Sequence, residues 1–177
     1  RIRRGELAGV ILFAENAPTI ASARRVAARL QRIPRPPGLR DPLLIMIDQE
    51  GGPVRRLRDA PPARSALQTA GAGSAAAAER SGTATARALR RAGVNIDLAP
   101  VADVPRPGSA MLRERRTFGR TAGQVRTYAA RFARGLVAGG VQATAKHFPG
   151  LGAATVNTDD APARIGLSRG ALRDVDE

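Results

Sequence analysis

The stretch "PLLIMIDQEGG", residues 42–52, decides the fold because it joins a short apolar strand to an acidic, glycine-rich turn. Its run of leucine, isoleucine and methionine is typical of a buried strand, so we predict a strand over 42–48. The run ends on Asp48, and Gly51 with Gly52 permits a tight reversal directly after it. A polar side chain delivered by a buried strand into a loop is where α/β proteins place functional groups.

The same alternation of apolar strand and helix-sized segment runs through the chain. We predict strands over 7–14, 42–48, 94–100 and 141–148, and helices over 18–33, 74–93 and 121–140. From Gly51 to Gly73 we predict a long loop with one short helical turn at "VRRL", residues 54–57. Strands that are apolar on both faces and separated by helices indicate a parallel sheet with right-handed crossovers.

Two α/β architectures fit this alternation, a doubly wound sheet and a (β/α)8 barrel. Each later strand carries a polar residue near its end, namely Asp48, Asp97 and the pair Lys146 and His147, which favours a barrel. No G-x-G-x-x-G motif follows the first strand, which weakens the nucleotide-binding alternative. We therefore predict a partial (β/α)8 TIM barrel of about four β/α units. Residues 1–177 are then expected to be one incomplete barrel domain.

Composition narrows the classes of partner. The chain of 177 residues is 43% hydrophobic and has no apolar run of membrane-spanning length. It has no cysteine, which excludes a disulfide framework and a thiolate metal site and leaves the redox compartment open. The net charge of +14 comes from arginines spread along the sequence, dense only at "RIRR" and "RERR", with 3% aromatic residues. We expect a solvated arginine surface and no nucleic-acid partner.

Lys146 and His147 are the only lysine and the only histidine, and they are adjacent. Adjacent side chains of a regular strand point to opposite faces, so both can reach one ligand only beyond the strand end, which Pro149 enforces. A structural histidine and a surface lysine are the alternative interpretation. Asp48, with Arg55 or Arg56 returning toward it, can bind vicinal hydroxyls of a sugar. Alternatively, Asp48 caps the following turn.

Five segments together carry a family resemblance. In chain order they are "GVILFAEN", "LLIMIDQEGGPVRRL", "GVNIDLAPVADV", "RTFG" and "KHFPGLG". Their order and spacing resemble the N-terminal barrel domain of glycoside hydrolase family 3. The Pro-Gly after "KHF" is most similar to the β-N-acetylhexosaminidase branch of that family, and the resemblance covers nearly the whole chain.

The resemblance implies a glycoside hydrolase that removes terminal β-linked N-acetylglucosamine by a retaining mechanism, as in cell-wall recycling, without metal or cofactor. The implied partner is a carbohydrate, an N-acetylglucosaminide or a muropeptide-type sugar. By motif match, Asp48 and Arg56 would bind sugar hydroxyls, Arg116 of "RTFG" would line the same pocket, and Lys146 with His147 would hold the bound sugar.

The chain departs from this branch of the family in the loop after "KHFPGLG". The branch carries an Asp-Ser-His triplet there, whose histidine is the general acid/base, whereas this chain has Asn157, Thr158 and Asp159. Leu151 also replaces a histidine of the glycine motif. We expect Asp159 to act as the acid/base, because a carboxylic acid can do so where its surroundings favour the protonated form. The alternative is that Asp159 only orders the loop.

The resemblance also implies a nucleophile outside this sequence. In the family it is an aspartate on a later strand, past Glu177, so we expect no hydrolytic turnover from these residues alone. Two other functions stay open. One is a β-glucosidase-like family member, since the loop histidine is missing. The other is a carbohydrate-binding protein that cleaves nothing.

Overall fold

The computed structural model describes residues 1–174, and its main element is a parallel sheet. The strands are β1 (Gly9–Leu12), β2 (Leu44–Ile47), β3 (Gln49–Gly51), β4 (Val54–Arg55), β5 (Ile96–Asp97) and β6 (Gln142–Ala143). The sheet has the order β1-β2-β5-β6, and β3 and β4 form a separate antiparallel hairpin. A strand order that follows the chain without reversal is that of a barrel, because a doubly wound sheet reverses its order at a switch point.

Each crossover of the sheet contains a long helix. The helices are α1 (Ile20–Gln31), α2 (Ala66–Gly71), α3 (Ala75–Arg91), α4 (Ala110–Arg113), α5 (Ala122–Ala138) and α6 (Arg169–Arg173), preceded by a 3-10 turn at Ile2–Arg4. Each of the six begins after a serine or threonine whose hydroxyl accepts a hydrogen bond from a first-turn amide. The predicted α/β architecture is therefore confirmed, as an open arc of four parallel strands.

Three local predictions were wrong. The segment "VRRL" contains strand β4 instead of a helical turn, because Gly51 and Gly52 at φ 105° and 58° reverse the chain onto β3. Helices α2 and α4 lie in segments predicted to be loops. The strands predicted over 94–100 and 141–148 pair regularly only at β5 and β6, because the register shifts by one residue between the pair of Asp97 with Ala143 and the isolated bridge of Val101 with Lys146.

The two faces of the sheet differ in what covers them. Ile45 and Ile47 of β2 are fully buried, on the side where α3 and α5 contribute the core side chains Leu89 and Phe132. On the opposite side, large apolar residues are exposed; these are Ile11 (42%) of β1, Phe13 (44%) directly after β1, and Leu44 (39%) of β2. This exposed apolar face is the one expected of an unclosed barrel. The carboxyl ends of all four strands lie at one edge, where the polar residues gather.

Candidate active site

An ion-paired cluster lies beyond the carboxyl ends of β2 and β6. Asp48 follows β2 directly, and its Oδ1 lies 2.6 Å from Lys146 Nζ. The β3–β4 hairpin brings Arg56 back, so that its Nη2 lies 3.6 Å from Asp48 Oδ2. These three residues, singled out from the sequence, thus meet in space although Lys146 is 98 positions away from Asp48. The hairpin explains why the glycine pair follows Asp48 so closely.

Glu50 is the acceptor at the centre of the cluster. Its Oε1 lies 2.7 Å from Lys146 Nζ and 2.9 Å from Arg116 Nη2, and its Oε2 accepts from Arg116 Nε at 2.9 Å. Its side chain is only 3% exposed. Two parallel bonds from one guanidinium to one carboxylate fix both planes, which is the strongest geometry available to this pair. Glu50 therefore sets the positions of Lys146 and Arg116 together.

His147 joins the cluster from the other side of Arg116. Its Nδ1 lies 2.6 Å from Oδ2 of the buried Asp103, whose Oδ1 also accepts from the His147 amide. Its Nε2 lies 3.5 Å from Arg116 Nη2. We assign the proton to Nδ1, because the carboxylate of Asp103 only accepts and the guanidinium only donates. Asp103 thereby orients the ring and leaves Nε2 directed toward the cluster.

Lys146 and His147 reach the same cluster from beyond the end of β6. Lys146 pairs with Val101 in an isolated bridge, its amide donates to Pro100, and the peptide that follows it is cis. A cleft of about 170 Å³ lies beside both residues and is also lined by Asp103. The two side chains contact Glu50 and Arg116, which themselves form an ion pair. The sequence expectation that they converge with Asp48 therefore agrees with the geometry.

Asp97, at the end of β5, is a buried carboxyl under this cluster. Its Oδ1 accepts from the Gln49 amide at 3.0 Å, and its Oδ2 has no hydrogen-bond partner among residues 1–174. Burial raises the pKa of Asp97 to about 7, an effect to which the charges of Asp48 and Glu50 add and which the Gln49 amide and Lys146 oppose. Because the pKa of Asp97 lies near 7, the charge of this carboxyl beneath the cluster changes around neutral pH.

Arg56 has a second contact outside the ion pair. Its guanidinium carbon lies 5.6 Å from the ring centroid of Phe13, over the aromatic face. Its Nε is buried and has no hydrogen-bond partner within the described part of the chain. Arg56 thus holds a free donor beside Asp48.

The loop that carries Asp159 is tied to a different part of the molecule. Asn157 Nδ2 donates to both carboxylate oxygens of Glu114, at 3.1 and 3.0 Å, and Asn157 Oδ1 accepts from the Asp159 amide. The Asp159 side chain is exposed and makes no hydrogen bond or ion pair with any described residue. Of the six site residues named from the sequence, five lie in the cluster and Asp159 lies on this neighbouring loop.

Sequence reasoning named Asp97 only as a strand-end residue and missed three other acidic residues of the site, Glu50, Asp103 and Glu114. Glu50 and Asp103 stand in the quoted motifs "DQEGG" and "VADV", so their positions two and six residues after strand-end aspartates were the available signal. Glu114 lies inside "RERR", which was interpreted only as a dense basic segment.

Neither a metal-binding group nor a membrane-spanning helix is present among the described residues. No group of three or more His, Cys, Asp or Glu side chains within residues 1–174 is arranged to hold a metal ion. Over the same residues, no helix combines the length and the apolar character needed to cross a bilayer. The donors and acceptors of the cluster suit hydroxyl groups directly, since its cations donate and its carboxylates accept.

Comparison with known proteins gives a consistent result. The model of the glycosyl hydrolase family 3 N-terminal domain matches residues 1–176. A β-hexosaminidase of Methylococcus capsulatus is 39% identical over 148 residues, which are 81% of this chain and 42% of that protein. A β-hexosaminidase of Pseudomonas aeruginosa is 34% identical over 155 residues, 85% of this chain and 44% of that protein. The chain therefore spans less than half the length of these two relatives.

Solved structures agree in fold. The family 3 β-N-acetylglucosaminidase of Paenibacillus sp. FPU-7 superposes with a TM-score of 0.84 and 33% identity, covering 99% of this chain and 33% of that one. NagZ of Neisseria gonorrhoeae superposes with a TM-score of 0.82 and 27% identity, covering 96% and 50%. The same NagZ has been solved in complex with N-trifluoroacetyl-D-glucosamine.

Proposed function

Because the chain belongs to glycosyl hydrolase family 3, as its N-terminal domain, we propose that it forms the sugar-binding part of a β-N-acetylhexosaminidase active site. The reaction of the whole enzyme would be the retaining hydrolysis of terminal β-linked N-acetylglucosamine. The names of the similar β-hexosaminidases and of the superposed β-N-acetylglucosaminidase support this substrate class. The substrate would be an N-acetylglucosaminide or a muropeptide-type sugar.

One observation carries the proposal, the placement of Asp48 between Lys146 and Arg56 at the carboxyl ends of the strands. A carboxylate flanked by two cations can accept a hydrogen bond from one hydroxyl while each cation donates to a neighbouring hydroxyl oxygen. Adjacent hydroxyls of a pyranose present this alternation of donors and acceptors. Charges paired within the protein also suit a neutral ligand, because binding it leaves no charge uncompensated.

The other residues of the cluster would complete the pocket. Arg116, held by Glu50, has Nη2 directed toward His147, so that the guanidinium can donate to a further hydroxyl and His147 Nε2 can accept from it. The motif match assigns the acid/base role to Asp159. In a retaining mechanism this group and the nucleophile stand about 5 Å apart on either side of the scissile bond. We expect the nucleophile on a later strand of the barrel, and so the 177 residues alone should bind sugar without cleaving it.

A second candidate function is carbohydrate binding without catalysis. The exposed Asp159 side chain, which contacts no described residue of the cluster, favours it. The two candidate functions can be told apart with a longer polypeptide that continues beyond Glu177 through the later strands of the barrel. That longer protein releases p-nitrophenol from an aryl N-acetylglucosaminide if it is an enzyme. A binding protein leaves the same compound intact at saturating concentration.

The direct test is a titration of the chain with N-acetyl-D-glucosamine and with D-glucose, followed by calorimetry or by amide chemical shifts. We expect saturable binding, stronger for N-acetyl-D-glucosamine, and a loss of about tenfold or more in Asp48→Asn. Asp41→Asn is the matched control, since Asp41 is exposed and lies before β2, outside the cluster. Absence of saturable binding to either sugar, or equal affinity in Asp48→Asn, would contradict the proposal. Preference for glucose would identify the β-glucosidase-like alternative.

A further inference from the structure

The loop after "KHFPG" is bonded along its length to the segment that precedes α5. Hydrogen bonds join Leu151 to Asp103, Arg106 to Gly152, Ala110 to Ala154 and Arg113 to Thr155, at 2.6, 2.9, 2.8 and 2.8 Å. The contact is close as well as polar, since a Cβ at Gly152 would stand 1.8 Å from the carbonyl oxygen of Val104. The loop is therefore docked on a fixed surface as far as residue 155.

Asn157 extends this docking and organises the turn that follows. Its amide nitrogen donates to both oxygens of Glu114, and its side-chain oxygen accepts from the Asp159 amide at 3.0 Å. Its carbonyl oxygen accepts from the amides of Asp160 and Ala161, at 3.0 and 3.1 Å. All five hydrogen bonds converge on one residue, so the geometry of the Asp159 turn depends on where Asn157 is held.

Glu114 connects this turn to the sugar-binding cluster. Its Oε2 lies 3.4 Å from Arg116 Nη1, on the guanidinium that makes two bonds to Glu50. Arg116 is 7% exposed, so this guanidinium is a rigid anchor, whereas Glu114 is 32% exposed at the rim. One carboxylate thus contacts both the fixed cluster and the loop. No other described residue makes hydrogen bonds to both Asn157 and Arg116.

We propose that Glu114 is a positioning residue that fixes the turn bearing Asp159 relative to the sugar-binding cluster, through its hydrogen bonds to Asn157. The catalytic meaning of this contact rests on the proposed function, since only there does Asp159 transfer a proton. The hydrogen bonds between Glu114 and Asn157 are seen in the structure and do not depend on the proposed function. Proton transfer needs a donor within hydrogen-bond reach of the leaving oxygen, and a displacement of about 1 Å is enough to impair it.

The chemistry of the pair explains its residue types. Asn157 must donate to a carboxylate and accept from a backbone amide at the same time, which a carboxamide can do and an ionised carboxylate cannot. An aspartate at position 157 would place two carboxylates about 3 Å apart, and their repulsion would release the turn. A glutamine at position 114 would keep one acceptor oxygen and replace the other with an NH₂ group, which cannot accept from Asn157 Nδ2. Exchanging the two groups, however, restores one carboxamide and one carboxylate.

This exchange gives the experiment. We would compare the wild-type chain with Asn157→Asp, Glu114→Gln and the double variant, measuring backbone ¹⁵N order parameters of residues 157–161. Asp160→Asn is the matched control, because its side chain makes no contact with Glu114. The expected order parameters are about 0.8 in the wild type and the control, below about 0.6 in both single variants, and about 0.8 again in the double variant.

The signal of the Arg116 Nε–H group reports whether the loop is coupled to the cluster. Arg116 Nε–H donates to Glu50 in a buried hydrogen bond. We expect the chemical shift of this proton to change in the two single variants and to return to its wild-type value in the double variant. Single variants as ordered as the wild type, or a double variant as mobile as Asn157→Asp, would overturn the inference. Failure of the wild-type chain to bind N-acetyl-D-glucosamine would instead overturn the proposed function, because the order parameters do not depend on sugar.

Discussion

The contact between α3 and α5 and the polar cluster at the strand ends differ in the interactions that form them. The helices meet backbone to backbone at Gly82 and Gly135, where an added Cβ would lie 2.2 Å from the Phe132 carbonyl oxygen and 2.1 Å from that of Glu79. The cluster instead joins ionised side chains across loops, with two buried polar atoms left unpaired among the described residues. The first arrangement depends on the absence of side chains, and the second on their charge.

This difference separates stability from function within one domain. Close helix packing gains dispersion and apolar burial without any titrating group, so it should not respond to pH. Buried charges are costly even when paired and contribute little net stability, so their presence at the strand ends indicates a role in binding. Three predictions test this contrast between the two regions.

The largest expected effect of a substitution at a single pH is on the helix contact, in Gly135→Ala. The new methyl group would meet the backbone of Glu79, which cannot rotate away as a side chain can, so α3 and α5 must move apart. We expect the free energy of unfolding to fall by about 3 kcal/mol, at the upper end of overpacking effects. Chemical denaturation at constant m-value measures it.

Gly123→Ala is the matched control within the same helix. Gly123 lies in the first turn of α5, and an added Cβ there has no heavy atom within 4 Å. Replacing a helical glycine by alanine in open space should raise stability by about 0.5 to 1 kcal/mol. If the two variants changed stability equally, the close helix contact would not be what limits position 135.

The second prediction concerns Asp97 and the pH dependence of stability. The pKa of its carboxyl is about 7 in the folded protein against an ordinary value of 3.8. The folded state therefore binds this proton more tightly than the unfolded state. Its contribution to stability is complete below about pH 4 and is lost as pH rises through 7. We expect wild-type stability to fall by up to about 4 kcal/mol relative to Asp97→Asn between pH 4 and 8.

Asp97→Asn separates this effect from a general loss of packing. Asparagine keeps an oxygen for the Gln49 amide and does not titrate, so any cost of its buried NH₂ group shifts stability equally at every pH. Urea denaturation of both proteins at several pH values gives the difference in slope. Parallel curves for the two proteins would mean that Asp97 is ionised throughout this range, contrary to its buried position.

The sequence predicted the elements better than it predicted their connections. Helices α1, α3 and α5 were located to within about two residues because their apolar spacing is decided locally. The β3–β4 hairpin was missed because the i, i+3 spacing of Val54 and Leu57 suits a helical turn as well. Only the contact of the reversed chain with Gln49 decides between the two, through the Gln49 side chain and the Leu57 backbone.

The site was predicted where residue types were rare or matched a motif. Lys146 and His147 stood out as single examples of their kinds, and the family resemblance named Arg56 and Arg116. The partners that hold these residues could not be found in the same way. Glu114 contacts Asn157 across 43 positions and Asp103 contacts His147 across 44, and one sequence without pairing information gives no reason to join them.

The smallest expected effect is at the rim of the helix contact, where Arg131 Nη1 lies 2.9 Å from Glu79 Oε2 with side chains 45% and 31% exposed. Solvent screens such a pair, so Arg131→Ala, Glu79→Ala and the double variant should show a coupling below about 0.5 kcal/mol that decreases with added salt. The Glu79 carbonyl oxygen is the atom that Gly135→Ala would strike. Glu79 should thus affect the free energy of unfolding strongly through its backbone contact with position 135 and weakly through its side-chain charge. A coupling above about 1 kcal/mol would show that the helices are held by charge as well as by close packing, and the contrast between the two regions would then fail.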